Sequence, residues 1–312
     1  MQRSAGRATR VSRPLERSVR DAGDAVYTST VAAPGQVASP AGVAREEVRA
    51  AFASLSARLA VVLVPVLSIA AALGLWELVV RRGLISEQDL PTMSATVREL
   101  WSMMETRDFW VAFGETVRGW ALGLGIATAL AVPIGILLGS SSFAASAFRV
   151  PIEFLRPIPS AALIPLLFLT LGTTLKSEVF LATFGAFWPL LVQTMYGVRD
   201  VDPVAIDTAR SFGVGRFERL YRITLPSSVP YIATGLRISS AVALILAFTA
   251  ELFMGTGGLG QKMNVADSFG LYEQVYALAL ATGFLGIAIH FASTGFERWA
   301  LRWHPSQRTE RA

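Results

Sequence analysis

Six apolar runs constrain this chain more than any other feature. They cover residues 59–80, 116–139, 157–175, 179–198, 231–254 and 274–296. Crossing about 30 Å of hydrocarbon at about 1.5 Å per helical residue takes about 20 residues, and each run comes close to that length or exceeds it. The third, fourth and sixth carry no charged residue, and the second carries none from Gly119 onward. Glu77 interrupts the first, while the fifth carries Arg237 near one end and Glu251 near the other. A water-soluble helix is rarely apolar on every face over such a length. The pattern predicts an all-α integral membrane protein with six transmembrane helices.

Composition agrees. Charged residues make up 16% of the chain, against about 25% in an ordinary soluble domain. Cysteine is absent, which excludes disulfides, thiolate zinc sites and a cysteine nucleophile. Histidine occurs only at His290 and His304, so an H-E-x-x-H metal site is excluded. A net charge of +5 suits either nucleic acid or a membrane surface, and the placement of the charges decides. Residues 1–58, 140–156, 199–237 and 298–312 hold 21 Lys and Arg, against seven in the remaining loops and flanks. The positive-inside rule then places both termini in the cytoplasm, with the lipid bilayer as partner and no nucleic acid. Trp76, Trp110, Trp299 and Trp303 fall near the ends of spans, where an amphipathic ring is favoured.

Residues 1–58 are expected to be a disordered cytoplasmic tail, 59–300 the membrane domain, and 301–312 a second cytoplasmic tail. The first fifty residues contain no hydrophobic stretch of a signal peptide, and their five acidic residues argue against a transit peptide. On the outer side, Pro91 can open a helix in which Val97, Leu100, Trp101 and Met104 share one face. That helix is expected to lie on the membrane or the bundle. The GTGGLG stretch at 255–260 reads as a flexible outer loop; no strand precedes it, so it is not a phosphate cradle.

The segment 199–230 is too long and too structured for a plain connector. Asp202 can cap a helix with Pro203 at its first position. Val204, Ala205, Ala209 and Phe212 then form an apolar stripe, and Gly213 ends the helix. A second short helix is expected over 216–222, with Phe217 and Leu220 inward and three arginines outward. Ile223, Leu225 and Pro226 end it and turn the chain into the fifth span. Physics alone leaves two readings: a hairpin resting on headgroups, or a docking surface for a soluble partner.

The spacing of Asp207-Thr208-Ala209, Gly213, Ile223 and Leu225-Pro226 resembles the cytoplasmic E-A-A loop of permease subunits of ATP-binding-cassette importers. Asp replaces Glu and Thr replaces the first Ala. The similarity runs from about residue 85 to 300. It includes Leu90-Pro91, Arg156-Pro157-Ile158-Pro159 with Ile164-Pro165, Gly185-Ala186-Phe187 with Trp188-Pro189, and Gly197-Val198 ahead of Val201-Asp202-Pro203. These pieces are most similar to the nitrate, sulfonate and taurine branch. The resemblance implies a type I importer permease fold whose 199–230 loop forms the coupling helix. It implies a separate ATPase subunit holding ATP and magnesium, and a periplasmic or lipid-anchored solute-binding protein. A second permease copy, as a homodimer, and the bacterial plasma (inner) membrane complete the expected setting. The solute would be small and anionic or zwitterionic. No cofactor is expected in this chain, and no phosphate-binding loop is present: the only lysines, Lys176 and Lys262, do not follow glycine.

Residues inside the spans supply further candidates. Pro157, Pro159 and Pro165 remove helix donors in the third span, as Pro133 and Pro189 do in the second and fourth. A broken helix in a bilayer must be packed or line a cavity, so the third span either flanks the translocation path or simply kinks for packing. Glu251 is either an interfacial carboxylate bonded to backbone or part of that path. Arg237 is expected to snorkel toward the cytoplasm, Glu77 to be interfacial and His290 to be packed. Gly135 and Gly139 permit close helix approach. An ion-coupled secondary transporter would show mid-bilayer acids or an inverted repeat, and neither is found. A membrane-embedded enzyme would rest on His290 alone.

Overall fold

The computed structural model describes residues 63–86 and 89–301. The expected tail at 1–58, the expected tail at 301–312 apart from Leu301, and the first residues of the first span lie outside them. Two compact units divide between Ala71 and Ala72. Of the first, only 63–71 are described, as the beginning of helix α1 (Leu63–Arg81).

In the second unit, α2 (Met93–Met104) precedes α3 (Arg107–Ser140). A bent pair follows: α4 (Ser142–Leu155), then a 3₁₀ turn (Ser160–Leu163) that runs into α5 (Ile164–Leu171). Next come α6 (Leu175–Arg199), α7 (Pro203–Ser211) and α8 (Leu225–Met254). The last two are α9 (Gly258–Ser268) and α10 (Tyr272–Ala300). No strand occurs among the described residues. Among the described residues five helices are long and apolar enough to cross a membrane, or six spans if the bent pair counts as one.

The sequence expectation for the third span needs correction. Residues 157–175 do not form one helix. The two arms, Ser142–Leu155 and Ser160–Leu171, meet at 75°. Residues 140–156, expected to be a connector, are largely the helix α4. Pro157 and Pro159 lie in the break, where neither can donate to a preceding turn. Pro165 does not kink anything: it sits in the first turn of α5, where a missing N–H costs little. Pro133 and Pro189 lie inside helices that continue through them.

The centre is a stack of α3, α6 and α8. Helices in hydrocarbon gain nothing from burying apolar surface against each other, so close packing of small residues holds them together. The buried edge of α3 reads Thr116, Gly119, Gly123, Ala127, Ala131 and Gly135, a stripe far longer than the Gly135/Gly139 pair read from the sequence. Ala127 meets Ala182 and Ala186 of α6 and Ala243 and Ala247 of α8 in one alanine cluster. A Cβ at Gly135 would stand 2.7 Å from Cβ of Thr194, and one at Gly139 2.7 Å from Cβ of Val198. Polar side chains stitch the same seam. Thr183 donates to the Gly123 carbonyl at 3.1 Å, Ser239 to that of Ala186 at 2.7 Å, and Trp120 Nε1 to that of Ser240 at 3.0 Å. The opposite face of α3 exposes Leu122, Ile126, Leu130 and Leu137, a surface suited to lipid tails.

α5 closes one side of the stack through Leu167, packed with Leu181, Leu246 and Met254. α2 packs on α10, but not by the expected face. Thr96 and Leu100 are buried, while Val97 and Trp101 are exposed. Thr92 is the helix cap, accepting from the N–H of Ala95 at 3.3 Å, so Pro91 lies before the helix.

Replacing Gly135 with leucine forces α3 from α6 and is expected to destabilise the subunit by about 1–3 kcal/mol. Gly125→Leu, at a position where an added Cβ meets nothing within 4 Å, is the matched control. Thermal unfolding of both variants in detergent checks this; equal melting temperatures would contradict the seam.

Candidate functional site

The hairpin at 202–226 is built as its sequence directs, up to its second arm. Asp202 Oδ1 accepts from the N–H of Val204 at 2.8 Å and Pro203 opens α7. At the far end Gly213 has φ +75°. Its N–H donates to the Arg210 carbonyl and that of Val214 to the Ala209 carbonyl, both at 3.0 Å. This is the paired-bond helix ending that calls for glycine at the left-handed position. Arg219 Nη1 donates to the Val214 carbonyl at 3.1 Å and fixes the corner to the next turn.

The second arm differs from expectation. After one α turn (Arg216–Arg219) the chain makes a π turn (Leu220–Thr224) and runs directly into α8. Ile223, Leu225 and Pro226 therefore stop nothing. The wider turn lets the N–H of Leu225 reach the Leu220 carbonyl, and Pro226 then falls in the first turn of α8, where its lack of a donor is tolerated. Phe217, expected inward, is 89% exposed, beside Phe212 at 83% and Tyr221 at 75%.

Of the motif residues, Ala209 is the one buried residue of α7. Asp207 and Thr208 are exposed. Asp207 Oδ1 accepts from Arg210 Nη1 at 3.1 Å. Ile223, Leu225 and Pro226 are half-buried at the base. The hairpin thus presents Val204, Phe212, Phe217 and Tyr221 outward among the exposed ion pairs Asp207–Arg210 and Glu218–Arg222. Aromatic knobs ringed by charge suit the groove of a protein partner.

At the opposite end of α8 lies a buried polar lock. Glu251 is fully buried within the bundle and bonded to backbone. Its Oε2 accepts from Thr116 Oγ1 of α3 and from the N–H of Gly260, each at 2.9 Å. The N–H of Leu259 donates to Thr116 Oγ1 at 3.0 Å, and that of Gly258 to Glu115 Oε2 at 2.9 Å. GTGGLG is therefore no flexible loop. Gly255 ends α8 at φ +67°, Gly257 and Gly258 also take positive φ, and the free N–H groups opening α9 are tied to α3 and α8. A side chain on Gly258 would strike the Glu251 carboxylate. Glu178 joins this region, buried at the start of α6 and accepting from Thr256 Oγ1 at 3.2 Å. Run-length reading missed it, because Glu178 stands one residue outside the apolar run 179–198. Among the described residues no group of three acidic or imidazole side chains is arranged to hold a metal ion.

The remaining membrane candidates also find partners. Arg237 pairs with Glu297 of α10 at 3.1 Å. Glu77 accepts from the N–H and hydroxyl of Ser94 at 3.0 and 2.8 Å, holding α2 to α1. His290 is exposed, with an edge contact to Phe291, and is not packed.

A helical membrane bundle that carries an outward-facing hairpin between two central spans suits the membrane subunit of a transporter. The comparisons agree. A family model described as "Binding-protein-dependent transport system inner membrane component" matches residues 131–302, more than half of the chain, and the chain belongs to that family. A Brucella melitensis protein named "Probable ABC transporter permease protein" is 28% identical over 250 residues, covering 80% of this chain and 100% of that one. The taurine transport system permease protein of Escherichia coli is 28% identical over 242 residues, 76% and 88% of the two chains. A nitrate import permease protein of Synechocystis is 28% identical over 169 residues, 54% and 62% of the two chains. The inward-facing MetNI methionine ABC transporter shares the fold, with a TM-score of 0.52 and 19% identity, over 69% of this chain and 99% of that one. The chain is thus a multi-pass inner-membrane permease subunit of an ATP-binding-cassette importer, not itself an enzyme, and the ion-coupled alternative is set aside.

Glu251→Ala strips the acceptor from two buried donors. A buried group left unpaired costs about 1–3 kcal/mol, whereas an exposed ion pair contributes about 0–1 kcal/mol. Glu251→Ala is expected to lower the melting temperature of the purified subunit and Glu218→Ala to leave it nearly unchanged; the two variants melting alike would contradict the lock.

Proposed function

We propose that this subunit carries small sulfonates, taurine or nitrate across the bacterial plasma membrane, and that the hairpin at 202–226 couples it to the ATPase. Two copies would form the path as a homodimer. A solute-binding protein would deliver the solute outside, and the partner ATPase would hold ATP and magnesium. Both termini face the cytoplasm in this reading, on the side of the hairpin. The charge asymmetry supports that orientation, and the taurine and nitrate permeases among the relatives support the solute class. Pro157 and Pro159 at the 75° bend, Pro165 at the start of α5, and the Glu251 lock are assigned to the flanks of the path.

The observation that carries the coupling role is the placement of the E-A-A-like residues on a corner with no slack. Asp207, Thr208 and Ala209 lie on α7 and Gly213 forms the turn. Ile223, Leu225 and Pro226 lie where the second arm becomes α8. A push on α7 would reach α8 through hydrogen-bonded backbone. A β-branched residue at Gly213 meets the left-handed penalty of about 1–2 kcal/mol, and Phe212 and Phe217 supply the exposed apolar contact.

In the reconstituted complex, Gly213→Val and the double variant Phe212→Ser/Phe217→Ser are expected to cut solute-stimulated ATP hydrolysis about tenfold, the equivalent of about 1.4 kcal/mol of docking energy. Wild-type stimulation in both would sink the coupling role. For the solute, uptake of radiolabelled taurine, ethanesulfonate and nitrate into vesicles carrying the full complex is the direct assay. ATP-dependent accumulation of none of the three would reject the substrate class.

A further inference from the structure

A groove of about 640 Å³ opens at the end of the bundle that carries the hairpin. One wall is a face of α4, including Ser142, Ser146 and Arg149, with Arg156 just past its end. The other is the last two turns of α6, including Tyr196 and Arg199, and the end of α3 at Gly139 closes one side. Its size falls within the range of about 300–1,000 Å³ typical of small-molecule pockets.

The charges in it do not balance. Three guanidinium groups line the groove against one carboxylate, Glu153, and that carboxylate is engaged by Arg149 Nε at 2.9 Å. Arg156 and Arg199 form no ion pair among the described residues. The neighbouring carboxylate of Asp200 accepts from the hydroxyl of Tyr231. Two guanidinium groups without an ion pair line one groove with serine and tyrosine hydroxyls, a set that suits a group presenting several oxygens and a negative charge. No residue of α4 is buried, and Phe143, Phe148 and Phe154 are exposed.

We propose that this groove is an oxyanion-binding site in which Arg156 and Arg199 clamp a sulfonate or phosphate group. Two sources can supply that group: the solute as it leaves on the hairpin side, or the phosphate of an anionic lipid headgroup. Only the solute source rests on the importer reading given above.

The test uses the full transporter, with its ATPase, in nanodiscs. In pure phosphatidylcholine, binding of radiolabelled ethanesulfonate is measured for the wild type and for Arg156→Gln/Arg199→Gln. In mixed phosphatidylcholine and phosphatidylglycerol, the phosphatidylglycerol retained by each is counted by native mass spectrometry. Both arginines are exposed, so the double variant keeps the fold, and Arg156→Lys/Arg199→Lys preserves charge without the fork. At least a tenfold loss of ethanesulfonate binding in the Gln variant, partly restored by Lys, assigns the site to the solute. Loss of retained phosphatidylglycerol alone assigns it to the headgroup. Unchanged values in both arms overturn the site. Wild-type uptake that fails for every solute tested overturns the substrate class instead and leaves the lipid arm as the judge of the groove.

Discussion

The rest of the structure depends on how closely α3 can approach α6. Water drives soluble helices together, but lipid does not distinguish a leucine facing another helix from one facing an acyl chain. What remains is contact, and contact needs small residues. The stripe from Gly119 through Gly135 on α3 provides it along almost the whole thickness of the bundle. At its middle five alanines from three helices meet. Once that seam is fixed, α8 has one place to lie, and α5 and α10 pack onto what α6 and α8 leave open. Hydroxyls and an indole reach across to backbone carbonyls and add direction to a contact that is otherwise featureless.

Polar groups then define the two ends. Away from the hairpin, Glu251 and Thr116 hold the start of α9 by its own unpaired N–H groups. A helix N-terminus attracts negative charge, and here the chain supplies it from two other helices. Burying that carboxylate is costly, and its two bonds both fall on Oε2, Oε1 having none among the described residues, so lock and glycine turn are mutually dependent: the turn must expose its N–H groups, and Gly258 must carry no side chain. At the hairpin end the polar groups stay wet. The ion pairs there are exposed and contribute little to stability. The surface they surround is apolar and open, which is the reverse arrangement and suits a face that meets another protein.

The second arm of the hairpin does not end where a sequence reader would end it. A proline after a short amphipathic helix normally marks a stop. Here the π turn absorbs the mismatch, and helical backbone runs from Arg216 to Met254. In the proposed coupling, that continuity makes α8 a lever with the docking surface at one end and the Glu251 lock at the other.

Span number, the motif spacing and the first arm of the hairpin were legible in the sequence, because each depends on neighbours within a few residues. Twenty apolar residues need the bilayer; Asp202 with Pro203 starts a helix, and Gly213 can take the left-handed corner. The bend at Pro157 and Pro159 was legible as a break but not as a 75° angle. The buried face of α2, the outward Phe217, the engagement of Arg237 by Glu297 and the Glu178–Glu251 region were not legible at all. They are set by residues far apart in the chain: Glu251 and Thr116 are separated by 135 positions. A hydropathy run says that a helix is apolar on every side and so cannot say which side turns inward. Only the packing of small residues in three dimensions makes that choice, and with it decides which carboxylates are buried and which aromatics are left to meet a partner.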